Sequence, residues 1–304
     1  MCLVAFAIHA STRWPLVIAS NRDEYFDRPA LPLKRWQTAS GNTIISGRDV
    51  RAGGTWLGMT PHGRMALLTN VRELPASTDT PALRSRGELA LRWLESDMSA
   101  EQFMSQTDGA AYGGFNLVLG DFQRDQWHWL SNRLFRVAGS GSAADRPEAV
   151  HCYSRLLQPG VYALSNAALD TPWPKTLALK KAMLSALEGA AQESRPLNTP
   201  LWSALASRER APSDKLPDTG LSVALETALS SAFVDSPERG YGTRCSTLLV
   251  ATANDTAKTA ASGERLWTLE VQEKTVVPAW ARDLPDRSMD APVSEVFLWQ
   301  TGPA

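Results

Sequence analysis

The sequence predicts an antiparallel α+β domain built in layers, and three observations carry that prediction. Two apolar runs rich in Val and Ile, "CLVAFAI" (2–8) and "PLVIASN" (15–21), flank a short polar stretch, the pattern of neighbouring antiparallel strands. Strand-like and helix-like segments come in blocks, without the alternating βαβ rhythm of a parallel sheet. The best strand candidates are apolar almost throughout, so sheets covered on both faces are expected.

Taken in order, further strands are expected at "NTIISG", "TWLGMT", "RMALLTNV", "GFNLVLGDF", "QWHWLSN", "VYALSNA", "RCSTLLVAT" and "RLWTLEV". Ser85-Arg86-Gly87-Glu88 fits a capping box ahead of "LALRWLES", and Ser99 with Gln102 fits a second. In "LDTPWPKTLALKKAMLSALEGAA", Asp170 or Thr171 is positioned to cap and Pro172 suits the first turn. Leu177, Leu184 and Leu187 are expected on one buried face of that helix. Thr199-Pro200 opens another short helix, and "LSVALETALSSAF" is a further one. "GSGSAADRPEA", "QESRPLNTP" and "RERAPSDKLPDTG" read as loops or insertions. None is long enough for an interdomain linker, so residues 1–304 are expected to form a single domain with a polar loop and helical insertion around 192–220.

Composition narrows the function classes. The chain has 304 residues, 43% hydrophobic and 21% charged, with a formal net charge of −1. That balance gives no electrostatic footprint for nucleic acid or an anionic membrane. No apolar run approaches the roughly 20 residues of a membrane span. "LVAFAI" is short for a leader and no Lys or Arg precedes it. The three cysteines, Cys2, Cys152 and Cys245, are widely spaced with no C-x-x-C. This argues against a disulfide framework and against a zinc site, and favours a cytoplasmic setting with no metal. Of eleven tryptophans, most are expected in the core and a few along an aromatic cleft.

The residues that carry chemistry begin at position 2. If Met1 is removed, Cys2 bears a thiol and the chain's α-amino group on one residue, a nucleophile and base titrating near 8.5 and 8. A buried inert cysteine is the plainer alternative. The second strand ends in "SNRDE", and an antiparallel return brings Asn21, Arg22, Asp23 and Glu24 beside Cys2. Asp23 is placed to orient the α-ammonium and Arg22 to lower the thiol's pKa, unless the cluster is simply a solvated turn. Asn70 in "LLTNV" and Asn166 in "ALSNA" end apolar strands, where an amide can donate to an oxyanion or merely close a turn. Arg244 leads a buried-looking strand and needs a carboxylate, structural or functional. "GGTWLG" lacks the helix context and lysine of a phosphate loop. His9, His62, His128 and His151 show no ligand spacing, although His62 in "TPHGR" lies on a loop that can reach a ligand.

An N-terminal Met-Cys followed by "NRDE", "GGTWLG", "TN", "RG", "GFNL", "SN" and "YGTRCSTL" resembles the NRDE family, also called the transport and Golgi organisation protein 2 family. The motifs run from Cys2 to about Leu249. The resemblance implies a four-layer αββα sandwich of antiparallel sheets, like that of N-terminal-nucleophile hydrolases. It also implies a distant likeness to the penicillin V acylase and bile-salt hydrolase group, which cleaves linear amides with an N-terminal cysteine and needs no cofactor. Cys2, Asp23, Asn70, Asn166 and Arg244 look like that group's site positions. The group's arginine falls on Ser20, whereas Arg22 directly precedes Asp23. Adjacent strand residues point to opposite faces, so Arg22 is not expected to reach the thiol as the hydrolase arginine does. In its eukaryotic members the family is linked to haem trafficking and to lipid or coenzyme A homeostasis. Haem, or an acyl-CoA or lipid, is therefore the alternative expectation for a ligand of the same cleft.

Overall fold

Val4, Phe6 and Ile8 face one side of the first strand and Leu3, Ala5 and Ala7 the other, and both sides are covered. The computed structural model describes residues 2–73, 84–134, 148–193, 196–254, 264–276 and 292–301. Its strands are β1 (Cys2–Ile8), β2 (Leu16–Tyr25), β3 (Ala30–Gln37), β4 (Thr43–Asp49), β5 (Leu57–Met59), β6 (Arg64–Asn70), β7 (Phe115–Asp121), β8 (Gln126–Leu134), β9 (Glu148–Leu156), β10 (Gly160–Leu164), β11 (Asp235–Ser236), β12 (Tyr241–Ala253), β13 (Leu266–Thr275) and β14 (Val293–Gln300). Its α-helices are α1 (Gly87–Leu94), α2 (Ala100–Ser105), α3 (Pro174–Glu193), α4 (Asn198–Leu205) and α5 (Val223–Ala228).

Two antiparallel sheets result. The first runs β10-β1-β2-β12-β13-β14, with β11 on β12, and the second runs β3 to β9 in chain order. Three apolar clusters divide the molecule into four layers. Val4, Ile18 and Leu249 of the first sheet meet Ile45, Leu67 and Val118 of the second in the central core. Leu3, Val17 and Leu248 pack outward on Leu179 and Met183 of α3 and Leu201 of α4. Ile44, Leu68 and Leu117 pack outward on Leu89 and Trp93 of α1 and Phe103 of α2. This is the αββα sandwich. A strand buried on both faces has no solvent side to alternate with, which is why the apolar runs are continuous.

The structure corrects several local expectations. β2 continues through Asn21–Tyr25, so "NRDE" lies inside a strand and not in a turn after it. Strands β3, β9 and β14 were not expected. Each mixes charged or polar residues into its run, and β3 is largely exposed. The box on Ser85 does not form. Arg86 sits at the α1 N-cap with no side-chain cap, and Glu88 instead accepts from the Tyr112 hydroxyl and pairs with Arg84. The box on Ser99 and Gln102 does form.

α3 starts at Pro174, and Leu177 and Leu184 are 52% and 42% exposed. Its buried stripe is Lys175, Leu179, Met183, Ala186, Leu187 and Ala190, so Leu187 faces inward as expected while Leu177 and Leu184 do not.

"GGTWLG" and "RG" serve each other. Thr55 N–H donates to the Gly87 carbonyl at 3.3 Å. A Cβ on Gly54 would stand 2.4 Å from the Gly87 carbonyl carbon. Two backbones touch there with no side chain between them, which fixes the first turn of α1 against the strand pair β4 and β5. Among the described residues no helix is long and apolar enough to cross a membrane.

Candidate active site

Cys2 stands directly opposite Arg22 in the β1–β2 ladder. Opposed residues of an antiparallel pair share a face, and even-numbered residues of both strands face the central core. Cys2 and Arg22 therefore look into the space between the sheets, while Asn21 and Asp23 look toward the helices. Cys2 and Arg22 line a cavity of about 370 Å³ at the sheet rim, together with Glu24, Trp56 and Asn70. Asp23 lines it too, so the cavity opens across the edge of the sheet. Burial pushes the Cys2 thiol above its ordinary value, and the Arg22 charge acts in the opposite sense.

Arg22 is buried. Its guanidinium stacks 4.2 Å from the centre of the Trp56 ring. Nη2 lies 3.6 Å from Asp49 and 3.8 Å from Glu24, while Arg28 takes the closer contact with Asp49 at 2.5 Å. Among the described residues Arg22 Nη1 is buried without an acceptor. Trp56 belongs to "GGTWLG", so the Gly–Gly contact that fixes this turn also positions the ring under Arg22.

The other face of the same strand is a polar layer beneath the helices. Asn21 Nδ2 donates to the carbonyls of Leu205 and Ala232, both at 2.8 Å, and Ser246 Oγ donates to its Oδ1 at 2.6 Å. Thr243 Oγ1 donates to Asp23 Oδ1 at 2.8 Å. Burial pushes the Asp23 carboxyl up, and the Lys175 ammonium works against it. Lys175 is itself buried in the first turn of α3, with Nζ donating to the Leu229 carbonyl at 2.9 Å. Desolvation brings it down to about 8. Nearby, Arg72 pairs with Glu226 of α5, which also accepts from Thr219.

Asn70 ends β6 and lines the cavity. Asn166 Nδ2 donates to the Asn70 carbonyl at 2.8 Å, and the Asn166 carbonyl accepts from Arg72 N–H at 2.7 Å. Next to it, Ser165 Oγ donates to the Cys2 carbonyl at 2.9 Å. The segment after β10 thus ties β1 to the end of β6, and Asn166 holds Asn70 in place from behind. Arg244 takes a different position. β12 carries a bulge in which Thr243 opposes Asp23, Cys245 opposes Arg22, and Arg244 is the extra residue. Its Nη1 donates to the carbonyls of Tyr25, Phe26 and Arg28 at 2.8, 3.1 and 3.1 Å, clasping the chain beyond β2.

Of the six residues singled out from the sequence, Cys2, Arg22, Asp23 and Asn70 line one cavity, Asn166 supports it, and Arg244 braces the turn beside it. Sequence reasoning missed Lys175, Thr243, Trp56 and Asp49. A lysine in the first turn of a helix and a threonine in a strand carry no special signal, and only the assembled layers bring them to Asp23. His62 is exposed and lines neither this cavity nor its neighbour. Among the described residues no group of three or more His, Cys, Asp or Glu is arranged to hold a metal ion. Chemically, the site pairs a buried thiol with one guanidinium and an amide at the sheet rim, with a buried carboxylate across the edge.

Residues 1–262 match the family described as "Transport and Golgi organisation 2". The "Transport and Golgi organization 2 homolog" of Mus musculus is 32% identical over 267 residues, covering 84% of this chain and 90% of that protein. The Homo sapiens homolog is 31% identical over 265 residues, with the same coverage. Among solved structures, a mutant conjugated bile acid hydrolase from Clostridium perfringens aligns over 98% of this chain and 96% of its own, at 8% identity and a TM-score of 0.46. A Caenorhabditis elegans ortholog of N-acylethanolamine-hydrolyzing acid amidase aligns over 68% of this chain and 86% of its own, at 11% identity and a TM-score of 0.41.

Proposed function

The chain belongs to the transport and Golgi organisation 2 family, and on that premise we propose that it hydrolyses linear amide (C–N) bonds with Cys2 as an N-terminal nucleophile, once Met1 is removed. The observation that carries this reading is the direct opposition of Cys2 and Arg22 on the wall of one cavity.

In this reading the Cys2 sulfur attacks the amide carbonyl carbon and its proton passes to the α-amino group of the same residue. The Asn70 amide and a backbone N–H receive the charge that develops on the oxygen. The C–N bond then breaks, the departing amine takes the proton, and an acyl-thioester remains on Cys2. Water, deprotonated by the α-amino group, releases the acid and restores the thiol. Arg22 favours the thiolate before attack, and Asp23 across the sheet edge orients the α-ammonium. No cofactor is needed. Intact mass before and after exposure to an activated N-acyl amide tests the reading. A mature chain lacking Met1 that gains one acyl group is expected. Retained Met1, or undiminished hydrolysis by Cys2→Ala, would sink it.

One observation favours a second reading, in which the cleft carries a ligand without chemistry. Burial holds the Cys2 thiol in its protonated form above the range of an ordinary cysteine. For haem, an acyl-CoA or a lipid, the same walls would serve as a binding surface. Among the described residues no histidine lines the cavity, so a haem there would take Cys2, on losing its proton, as its axial thiolate. Haem titration separates the readings. A saturable Soret shift abolished by Cys2→Ala supports carriage, and a spectrum indifferent to that change excludes Cys2 ligation.

A further inference from the structure

Lys175 occupies a position that electrostatics disfavours twice over. It is the second residue of α3, so its ammonium stands against the positive end of the helix dipole. It is also only 5% exposed, and an ammonium taken out of water needs a counter-charge. Its hydrogen bond to the Leu229 carbonyl, at 2.9 Å, engages a neutral acceptor. A residue kept against both effects has a use that the helix itself does not supply.

Two carboxylates act on Lys175, Asp23 and Glu226, together with the Arg72 guanidinium and the Cys2 thiol. Glu226 is already engaged, since Arg72 pairs with it and Thr219 donates to it. Asp23 is therefore the counter-charge left to Lys175. The stretch 229–234, between α5 and β11, holds the two together. At one end the Leu229 carbonyl takes the lysine. At the other, Val234 N–H donates to Thr243 Oγ1 at 2.9 Å, and that hydroxyl donates to Asp23. Lys175 lines neither the cavity at Cys2 nor its neighbour. It lies behind the sheet, in a pocket of about 10 Å³ with Trp173 and Glu226.

The chemistry proposed for Cys2 requires such a cation. Asp23 is 1% exposed, and burial pushes its carboxyl up, toward the neutral acid. A protonated Asp23 cannot hold an ammonium. The α-amino group of Cys2 cannot supply the opposing charge at the start, because a base must be neutral to take a proton. Arg22 points to the opposite face of the sheet, and its charge acts on Asp23 less than that of Lys175. Tyr241 and the Cys2 thiol are the other titratable groups that feel this carboxylate. We propose that Lys175 is a positioning residue of the Cys2 site, the fixed cation that keeps Asp23 charged while the neighbouring amine gains and loses its proton. Lys175 keeps its own proton throughout. The thiol's proton passes to the α-amino group and on to the departing amine, and neither Asp23 nor Lys175 changes charge. The use of the amine rests on the amidase reading, and the pairing of Lys175 with Asp23 does not.

The test follows the Asp23 carboxyl carbon by nuclear magnetic resonance against pH in the full-length chain, with Asp23→Asn identifying the signal. In Lys175→Met the midpoint is expected to rise by about one pH unit or more, roughly a tenfold change in the protonation equilibrium. The native chain supplies a second reading should that variant not fold. Its Asp23 signal is expected to shift again when Lys175, brought down by desolvation to about 8, loses its proton. On an N-acyl amide that the native chain hydrolyses, Lys175→Met is expected to lower kcat at neutral pH by about tenfold. KM is expected to stay unchanged, and kcat to recover as pH rises. Added to Asp23→Asn, the same change is expected to have no further effect on kcat. An Asp23 midpoint unmoved by Lys175→Met, a native signal with no second shift, or a kcat loss equal at every pH overturns the proposal. Coupled titration in a chain that hydrolyses nothing sinks only the amidase reading. Hydrolysis with Asp23 indifferent to Lys175 sinks only the positioning role.

Discussion

Cys2 and Arg22 occupy one register position on adjacent antiparallel strands and share a face of the first sheet. The spacing of Arg22 and Asp23 does send them to opposite faces, as strand alternation requires. It is Arg22 that lands beside the thiol, and Asp23 that goes to the helix side with Thr243. Arg22→Met, which keeps contact with Trp56 but removes the charge, is therefore expected to slow alkylation of Cys2 by iodoacetamide about threefold or more near neutral pH. Mass-resolved alkylation against pH checks this, with the profile moving to higher pH. An unchanged profile would show that Arg22 does not act on the thiol.

Thr243 gives Asp23 a hydrogen bond inside a buried layer. Thr243→Val keeps the shape and removes the donor, so the carboxyl is expected to rise further and stability to fall by about 1–3 kcal/mol. Urea melts above and below the carboxylate range resolve the two effects, because the loss shrinks once Asp23 is protonated. A variant as stable as the native chain at neutral pH would contradict the bond's contribution.

Lys175 should leave a signature on the alkaline side. Its folded value of about 8 lies below the roughly 10.4 of a free lysine. Between these values the unfolded chain holds a proton that the folded chain has released, so this group makes stability rise with pH through that window. Below about 8 both states are protonated and its contribution is flat. The buried thiols and Tyr241 are raised and act oppositely, so the comparison must be with Lys175→Met. Native stability relative to that variant is expected to climb from about pH 8 to pH 10 in paired urea melts. A flat or falling difference refutes the assignment.

How far the sequence could be read depended on whether one segment held its own signal. β1, β2, β6 and β7 were legible because burial on both faces leaves an uninterrupted apolar run. β3 and β14 were not, since they mix polar residues into edge positions of their sheets. In α3 two of the three leucines misled. Leu177 and Leu184 share a face, but it is the outer one, while the inner stripe takes Leu187 together with Leu179, Met183, two alanines and a lysine. Leu179→Ala is expected to cost about 2–5 kcal/mol and Leu177→Ala to stay within about 0.5 kcal/mol. Thermal melts of the two variants check the frame. The site followed the same division. Cys2, Arg22, Asp23 and Asn70 were legible because strand ends and an antiparallel return bring them together. Lys175 and Trp56 come from elements that meet the site only through packing of layers.

The contact of Gly54 with Gly87 sets the distance between α1 and the sheet. Gly54→Ala puts a methyl group into backbone atoms that have no rotamer to give, so a loss of about 3 kcal/mol is expected. Because the same turn carries Trp56 under Arg22, Cys2 alkylation should change with it. Stability and alkylation measured on one preparation test the link. A native melting temperature would show that the two backbones can part without cost.

The bulge at Arg244 has a consequence for how one strand serves two compartments. Residues two apart on a regular strand have the same parity, so Thr243 and Cys245 would ordinarily point the same way. The extra residue switches the count. Thr243 then reaches Asp23 among the helices, while Cys245 joins the core beside Arg22. The phase of β12 is thus correct for the central core along most of its length and correct for the polar layer at its tip. A regular strand that kept Arg244 in the ladder would instead exchange inside for outside at the one end of the sheet where Cys2 lies.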